Sequence, residues 1–270
     1  MTAFTVIGGR GFIGSHLVRH LTRLGYSCEV PDRGQWPAHP GHVIYAAGLT
    51  GDFLDRPFET VRAHVSDLAT AIQRGSFESF LYLSSTRIYI GLDDSHEEAD
   101  LRVNPLKPDQ LYNLSKLMGE SVCVCTADPT VRIARLSNVY GPELAAPMFL
   151  DRIIRDAVDH RRVLVRSHPE SAKDYIHVDD VTDLLPRISL EGGQPVYNVA
   201  SGVNVTTAAL LSRVEELTGC VVEQHGLDDP VVYPALNIDR IRTEFTARPR
   251  ALLTELPGLV ESYRQTRRAA

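Results

Sequence analysis

Apolar residues enter this chain in two alternating patterns, short nearly unbroken runs and longer stretches at helical spacing. Phe4 to Ile7 is a short apolar run suited to a buried parallel strand. After it, Ile13, Leu17, Val18, Leu21 and Leu24 recur at the spacing of one helix face. Ser27 to Val30, Val43 to Ala46, Phe80 to Ser84 and Val131 to Leu136 predict four further strands, and Thr60 to Arg74 and Gln110 to Thr126 predict two further helices. Strands without polar alternation are covered on both faces, and their alternation with helices predicts an α/β fold, a doubly wound Rossmann-type parallel sheet. Right-handed crossovers then bring all strand C-terminal ends to one edge, where ligands bind.

The joint between the first strand and first helix reads as a dinucleotide cradle. Its glycines, Gly8, Gly11 and Gly14, follow a G-x-x-G-x-x-G spacing. Gly8 permits a tight turn, Gly11 lets backbone N–H groups approach a pyrophosphate, and Gly14 lets the helix pack close to the sheet with its N-terminus facing the phosphates. Arg10, Phe12 and Ile13 in this turn, with Ala46 and Ala47 at the end of the third strand, join the expected cofactor-binding set. Asp32 lies 18 residues beyond Gly14, near the roughly 20 expected of a carboxylate that bonds the adenosine ribose, which favours NAD. Arg10 and Arg33 are placed to pair with a 2′-phosphate, so NADP stays open.

Ten residues separate Asp32 from Val43, whereas a strand-helix-strand crossover takes at least about 10–12 on its own. The sheet is therefore expected to lack one strand-helix unit after its second strand. The loop Gly34-Gln35-Trp36-Pro37 would then cover adenine, with Trp36 either stacked on the base or exposed. The expected division is a dinucleotide-binding domain of residues 1–142 with 173–188, and a small C-terminal substrate-binding lobe of 143–172 with 189–270. Ala145 to Arg166 and Ser189 to Ala270 supply that lobe, with a helix over Asn204 to Leu217.

With 270 residues, 43% of them hydrophobic and 23% charged, the chain can bury a substantial core. A net charge of -6 argues against a nucleic-acid-binding surface. No apolar run approaches the roughly 20 residues that span a bilayer. The first strand starts too near Met1 to leave room for a signal peptide, so a cytoplasmic location is expected. Cys28, Cys123, Cys125 and Cys220 have neither metal nor disulfide spacing and are read as buried free thiols, and His39 and His42 as solvated loop residues. No metal site is expected.

Candidate chemistry sits at Tyr112 and Lys116, four apart on one helix face. The chain holds ten Tyr and three Lys, so a chance pair at this spacing is expected about 0.1 times. Upstream, Ser84-Ser85-Thr86 ends a strand at the binding edge. These residues resemble the Ser-Tyr-Lys machinery of the short-chain dehydrogenases/reductases. The resemblance extends, in order, to Gly8-x-x-Gly11-x-x-Gly14, Leu83-Ser-Ser-Thr-Arg-Ile-Tyr89, Arg135-Leu-Ser-Asn-Val-Tyr-Gly-Pro142, Lys173-Asp-Tyr-Ile-His-Val-Asp-Asp-Val181 and Tyr197-Asn-Val-Ala-Ser-Gly202. That order is similar to the extended members, the NAD-dependent epimerase/dehydratase family acting on nucleotide-linked sugars.

The resemblance implies that Tyr112 exchanges a proton with a sugar oxygen while a nicotinamide exchanges hydride with the attached carbon. Ser85 would hydrogen-bond the reacting oxygen, Lys116 the nicotinamide ribose, and Thr86 and Asn138 would contact the substrate, Asn138 at its diphosphate. A free phenol is ionised to only about one part in a thousand at pH 7, so a nearby ammonium must favour the phenolate. The resemblance also implies a homodimer through the helices of 60–74 and 110–126, with Leu114, Leu117, Met118 and Val122 as excess apolar surface.

Three departures narrow the reading. The 4,6-dehydratases of the family carry an Asp-Glu pair where this chain has Thr86 and Arg87, so water elimination lacks its proton carriers. His64 stands where many members carry asparagine, and either fills the same polar slot or lies at the surface. The shortened chain after Asp32 predicts an open adenine site and exchangeable cofactor, as ketosugar reduction requires, while Asp32 also suits a C4 epimerase that retains NAD. A non-catalytic NAD(P)-sensing protein on the same fold is a reading of another class, opposed by the intact Ser85, Tyr112 and Lys116.

Overall fold

The computed structural model describes residues 2–143, 148–226, 228–231 and 233–269. The chain runs through β1 (Ala3–Ile7), α1 (Phe12–Arg23), β2 (Ser27–Glu29), β3 (His42–Tyr45), α2 (Pro57–Val61), α3 (Asp67–Arg74), β4 (Ser79–Ser85), α4 (Leu111–Cys125) and β5 (Val131–Leu136). It continues with β6 (Asn138–Tyr140), α5 (Phe149–Asp159), β7 (Arg162–Val165), β8 (Ala172–His177), α6 (Val178–Glu191) and β9 (Val196–Val199). The last elements are β10 (Asn204–Thr206), α7 (Thr207–Thr218), β11 (Val221–Gln224), α8 (Asp239–Phe245) and α9 (Leu252–Ala269).

Six parallel strands form the main sheet in the order β2-β1-β3-β4-β5-β9. The order reverses between β1 and β3, which opens a crevice at their C-terminal ends. The strands are apolar at successive positions because each face feeds a separate core. Ile44, Leu81 and Leu83 point to the side of Leu17 and Leu21 of α1 and Leu184, Leu185 and Ile188 of α6. Val43, Tyr45, Phe80, Tyr82, Val131 and Ile133 point to the other side, against Leu68 and Ala71 of α3 and Cys123 of α4.

The three-residue β2 is the sheet's edge, and residues 30–41 form neither helix nor strand before β3 begins. The strand-helix unit expected to be missing is thus absent from the β2 side of the sheet. Trp36 is neither exposed nor free: it is half-buried against the Tyr45 and Leu68 core. His42 is likewise not a solvated loop residue, since β3 starts with it and its Nδ1 lies 2.9 Å from Ser79 Oγ.

Two smaller sheets, β10-β8-β6 and β11-β7, pack with α5, α7 and α9 around a second core of Ile153, Val163, Tyr175, Leu211, Leu256 and neighbours. Not all of 189–270 belongs there. Val196–Val199 pairs with β5 as the sixth strand of the main sheet, and Ile241 and Phe245 of α8 pack on the main core. Apolar runs of this length look alike in either sheet, so the sequence alone did not separate them. The helix expected over 204–217 starts three residues later, because Asn204–Thr206 pairs with β8 and Thr206 Oγ1 then caps the helix by accepting from the Ala209 N–H. Ala145, where the first segment expected to supply the lobe begins, lies outside the described residues. Cys125 departs from the expected burial and is exposed, and all four cysteines are free thiols.

The helix expected from Thr60 starts at Pro57 and contains one wide π turn, Arg62–Ser66, between α2 and α3. This turn carries His64 to full burial. Such bulges re-aim a side chain that regular spacing would leave elsewhere.

Candidate active site

The cradle glycines have distinct steric reasons. At Gly8, with φ of 83°, an added Cβ would stand 2.7 Å from Ala47 N. At Gly14 it would stand 2.3 Å from the Gly8 carbonyl oxygen, so the start of α1 touches the turn directly. A Cβ on Gly11 would meet only that same oxygen, at 3.4 Å, which leaves its outer side open to the crevice. No side chain caps the first N–H groups of α1. An open glycine in front of uncapped amides fits a pyrophosphate.

Of the residues expected to bind cofactor, Gly11, Phe12, Ile13, Gly14, Ala46 and Ala47 line the part of the cleft that holds Tyr112 and Lys116, and Gly8, Arg10, Asp32 and Arg33 line its other end. Here the charges are paired: Arg10 Nη1 bonds Asp32 Oδ1 at 2.6 Å, and Arg33 Nη2 bonds Asp67 Oδ2 at 3.0 Å. The opposed signals of Asp32 and Arg10 are therefore two halves of one exposed ion pair.

Tyr112 and Lys116 occupy the first turns of α4, both buried, beside Ser85 at the C-terminal end of β4. Lys116 Nζ donates to the Leu83 carbonyl at 2.8 Å and sits 6.0 Å from the Tyr112 ring centroid. Burial pushes the Lys116 ammonium down to about 7, opposed by Glu120. Burial also raises the Tyr112 phenol, while a hydrogen bond with Ser85 and the Arg87 guanidinium draw it back down. Arg87 lies 5.6 Å from the Tyr112 ring and 5.1 Å from that of Phe53.

Thr86, Arg87, Ser137, Asn138, Lys173, Asp174 and Tyr233 line the same part of the cleft as Tyr112. Asn138 donates to the Asp174 carbonyl at 2.8 Å, and the Thr86 hydroxyl donates to that of Leu136 at 3.4 Å. The Asp174 carboxylate is fully engaged by the Ser201 N–H and hydroxyl and the Val203 N–H. Lys173 Nζ lies 5.4 Å over the Phe149 ring, its ammonium disfavoured by burial and by Arg87. Lys173, Arg87 and Tyr233 were not assigned from the sequence, although Lys173 opens one of the motifs quoted above and its charge was visible there.

Arg135, the first residue of the 135–142 motif, is held in a buried ion pair. Its guanidinium grips the buried Glu120 carboxylate through Nε at 3.0 Å and Nη2 at 2.6 Å, and donates to Tyr89 Oη at 2.6 Å. Ser84 Oγ donates to the same carboxylate at 2.5 Å.

A glycine turn at the switch point of a parallel sheet, with a Ser-Tyr-Lys cluster across the crevice, defines a dinucleotide-dependent oxidoreductase of the short-chain type. More particularly, the chain belongs to the NAD dependent epimerase/dehydratase family, whose profile matches residues 4–62 and 37–200. It is 25% identical to a dTDP-glucose 4,6-dehydratase of Streptomyces griseus, over 84% of this chain and 80% of that protein. It is 27% identical to the dTDP-4-dehydro-6-deoxyglucose reductase of Escherichia coli, over 76% and 67%. Among solved structures, RMD from Pseudomonas aeruginosa, complexed with NADPH, superposes with a TM-score of 0.83 at 21% identity, covering 98% of this chain and 100% of that one. MoeE5 in complex with UDP-glucose and NAD gives 0.82 at 23%, covering 98% and 99%. Among the described residues, no helix is long and apolar enough to cross a membrane.

Proposed function

We propose that this enzyme reduces a nucleotide-linked ketosugar with a nicotinamide dinucleotide held in the Gly8–Gly14 cleft. The observation that carries the reading is the company kept by Tyr112: Ser85 and Lys116 beside it, and Arg87 where a dehydratase would need a carboxyl group. Asp174 is the only carboxylate, among the described residues, lining the part of the cleft that holds Tyr112, and its oxygens are consumed by Ser201 and Val203. Elimination of water therefore has no acid–base pair. The relatives include both a dehydratase and a reductase, and the absence of an acid–base pair beside Tyr112 supports the second reading.

Gly11 and the amides of α1 would hold the pyrophosphate, and Lys116 the nicotinamide ribose. When bound, the dinucleotide supplies the hydride. Tyr112 Oη gives its proton to the oxygen of the sugar carbonyl as that carbon is reduced, Ser85 orients the same oxygen, and the Arg87 and Lys116 charges favour the phenolate left behind. Among the described residues neither Arg87 nor Lys173 pairs with a carboxylate, and two such cations suit the two charges of a nucleoside diphosphate.

The open adenosine end supports exchange of cofactor in each turnover. The companion proposal is a homodimer through the 57–74 and 111–125 helices: of the four residues expected at the seam only Met118 is exposed, Leu114, Leu117 and Val122 being half-buried, and Phe58, Val61 and Val124 supply the other exposed apolar surface. Turnover of a panel of nucleotide-linked 4-keto and 4-hydroxy sugars with NADH, NADPH and NAD tests the reaction. Consumption of reduced cofactor by a 4-keto sugar is expected. Interconversion of 4-hydroxy sugars without net cofactor use would overturn reduction in favour of epimerisation.

A further inference from the structure

His64 is a fully buried histidine that the reaction just described does not use. Its imidazole lies edge-on to the Tyr112 ring, with centroids 5.5 Å apart at 87°. Burial and the neighbouring Lys116 push it down to about 3, so it is neutral at working pH. A neutral imidazole has one donor and one acceptor. The backbone N–H of Leu49 points at Nε2 from 3.2 Å and can only donate, so Nε2 is the acceptor and Nδ1 carries the proton. Nδ1 then donates to Ser115 Oγ at 2.8 Å, and the Ser115 hydroxyl donates to the Tyr112 carbonyl at 2.8 Å. Each link fixes the direction of the next.

We propose that His64 is a positioning residue, a clamp that ties the Gly48-Leu49 backbone on the cofactor side to the turn of α4 bearing Tyr112 and Lys116. The inference rests on the dinucleotide reading of the cleft. Gly48 is the counterpart of the imidazole. A Cβ there would stand 2.8 Å from Nε2 and 3.1 Å from Cδ2 of His64, whereas Lys116 Nζ is an ordinary 3.6 Å away. Gly48 lines the cleft with the buried His64 ring directly behind it, so a shift of either moves the surface against which the cofactor would lie. The π turn Arg62–Ser66 points the ring inward, and it is itself tied down where Tyr82 Oη donates to the His64 carbonyl.

The test compares His64→Leu, His64→Asn, Gly48→Ala and the double variant Gly48→Ala/His64→Asn. Cofactor affinity is read by calorimetry without sugar, and kcat and KM are read with a reducible nucleotide sugar. His64→Leu is expected to weaken cofactor binding several-fold and lower kcat about 10–100-fold with the sugar KM within about threefold, as loss of alignment does. His64→Asn, which keeps one acceptor and one donor, is expected to recover most of both. Gly48→Ala should be as harmful as His64→Leu beside histidine, and at least about threefold milder beside asparagine, because the ring it strikes is gone. The clamp is overturned if His64→Leu keeps wild-type affinity and kcat, if asparagine recovers nothing, or if the Gly48 and His64 effects simply multiply. Should no nucleotide sugar be turned over by the wild-type enzyme, the proposed reaction fails, and the sugar-free affinities alone decide the clamp.

Discussion

Replacing Glu120 by leucine removes the carboxylate partner of a deeply buried cation beneath the active site. Glu120 and Arg135 are each about nine-tenths hidden or more, with side-chain exposures of 7% and 5%. The guanidinium makes two contacts under 3.1 Å to the carboxylate, so removal strands a desolvated cation beside Tyr89 and the Glu97 carbonyl. Breaking one side of such a pair costs about 3–5 kcal/mol, whereas replacing both sides by apolar residues of similar volume is often near neutral. With a urea m-value of about 3 kcal/mol/M, the midpoint of Glu120→Leu should fall by about 1–2 M, and that of Glu120→Leu/Arg135→Met should return most of the way. Activity carries a second readout. Glu120 supports the charged form of Lys116 one turn away, so the milder Glu120→Gln should move the pH at which the ammonium is lost below about 7. Urea titration of the three proteins, with a pH profile of kcat for Glu120→Gln, checks both. A Glu120→Leu variant as stable as wild type, or a double variant as unstable as the single, refutes the reasoning.

Tyr112→Phe keeps the ring contacts with Phe53 and His64 and removes only the proton carrier, so kcat should fall about 10²–10⁴-fold with cofactor affinity unchanged; retained turnover removes Tyr112 from the reaction. Asp32→Ala should weaken NAD binding more than NADP binding, because a carboxylate bonds a 2′-hydroxyl and repels a 2′-phosphate; if wild type instead prefers NADP and Arg10→Ala or Arg33→Ala reverses that, the arginines decide the cofactor. Below pH 6.5 the unfolded chain takes up a proton at residue 64 that the folded one refuses until about 3, so stability should fall with pH across that window by up to about 1.4 kcal/mol per unit; His64→Asn should flatten this acid slope, and an unchanged slope in denaturant titrations contradicts the assignment. Light scattering at micromolar concentration should give the mass of a dimer, and Met118→Glu, at an exposed site on α4, should yield monomers; a fully active wild-type monomer ends the dimer proposal.

What was legible in the sequence is what a local pattern can encode. Strand runs, the three glycines and the Tyr112-Lys116 spacing each depend on neighbours within a few turns, and the structure places all of them at one sheet edge. The short stretch after Asp32 foretold a smaller sheet because chain length bounds what can cross it. The role of His64 depends on a π turn that shifts its direction, which 3.6-residue periodicity does not register. The place of Trp36 against Leu68, and of Val196–Val199 in the main sheet, are set by tertiary packing.

The pairing of Arg10 with Asp32 is the most consequential of these spatial facts, since as separate residues they argue for different cofactors. Their side chains are 72% and 59% exposed. An ion pair in that setting is worth about 0–1 kcal/mol and weakens further with salt. Hydrogen bonds between a ribose and a carboxylate are charge-assisted and worth about 1.5–3 kcal/mol each. The carboxylate therefore loses little by turning from Arg10 to a ribose, and a bound adenosine excludes water from the exchange. A 2′-phosphate would have to hold Arg10 while lying beside the released carboxylate, so the same pair that conceals Asp32 in the free enzyme favours NAD, and NADP could answer only through Arg10 and Arg33, whose own exposed pair with Asp67 gives way as cheaply.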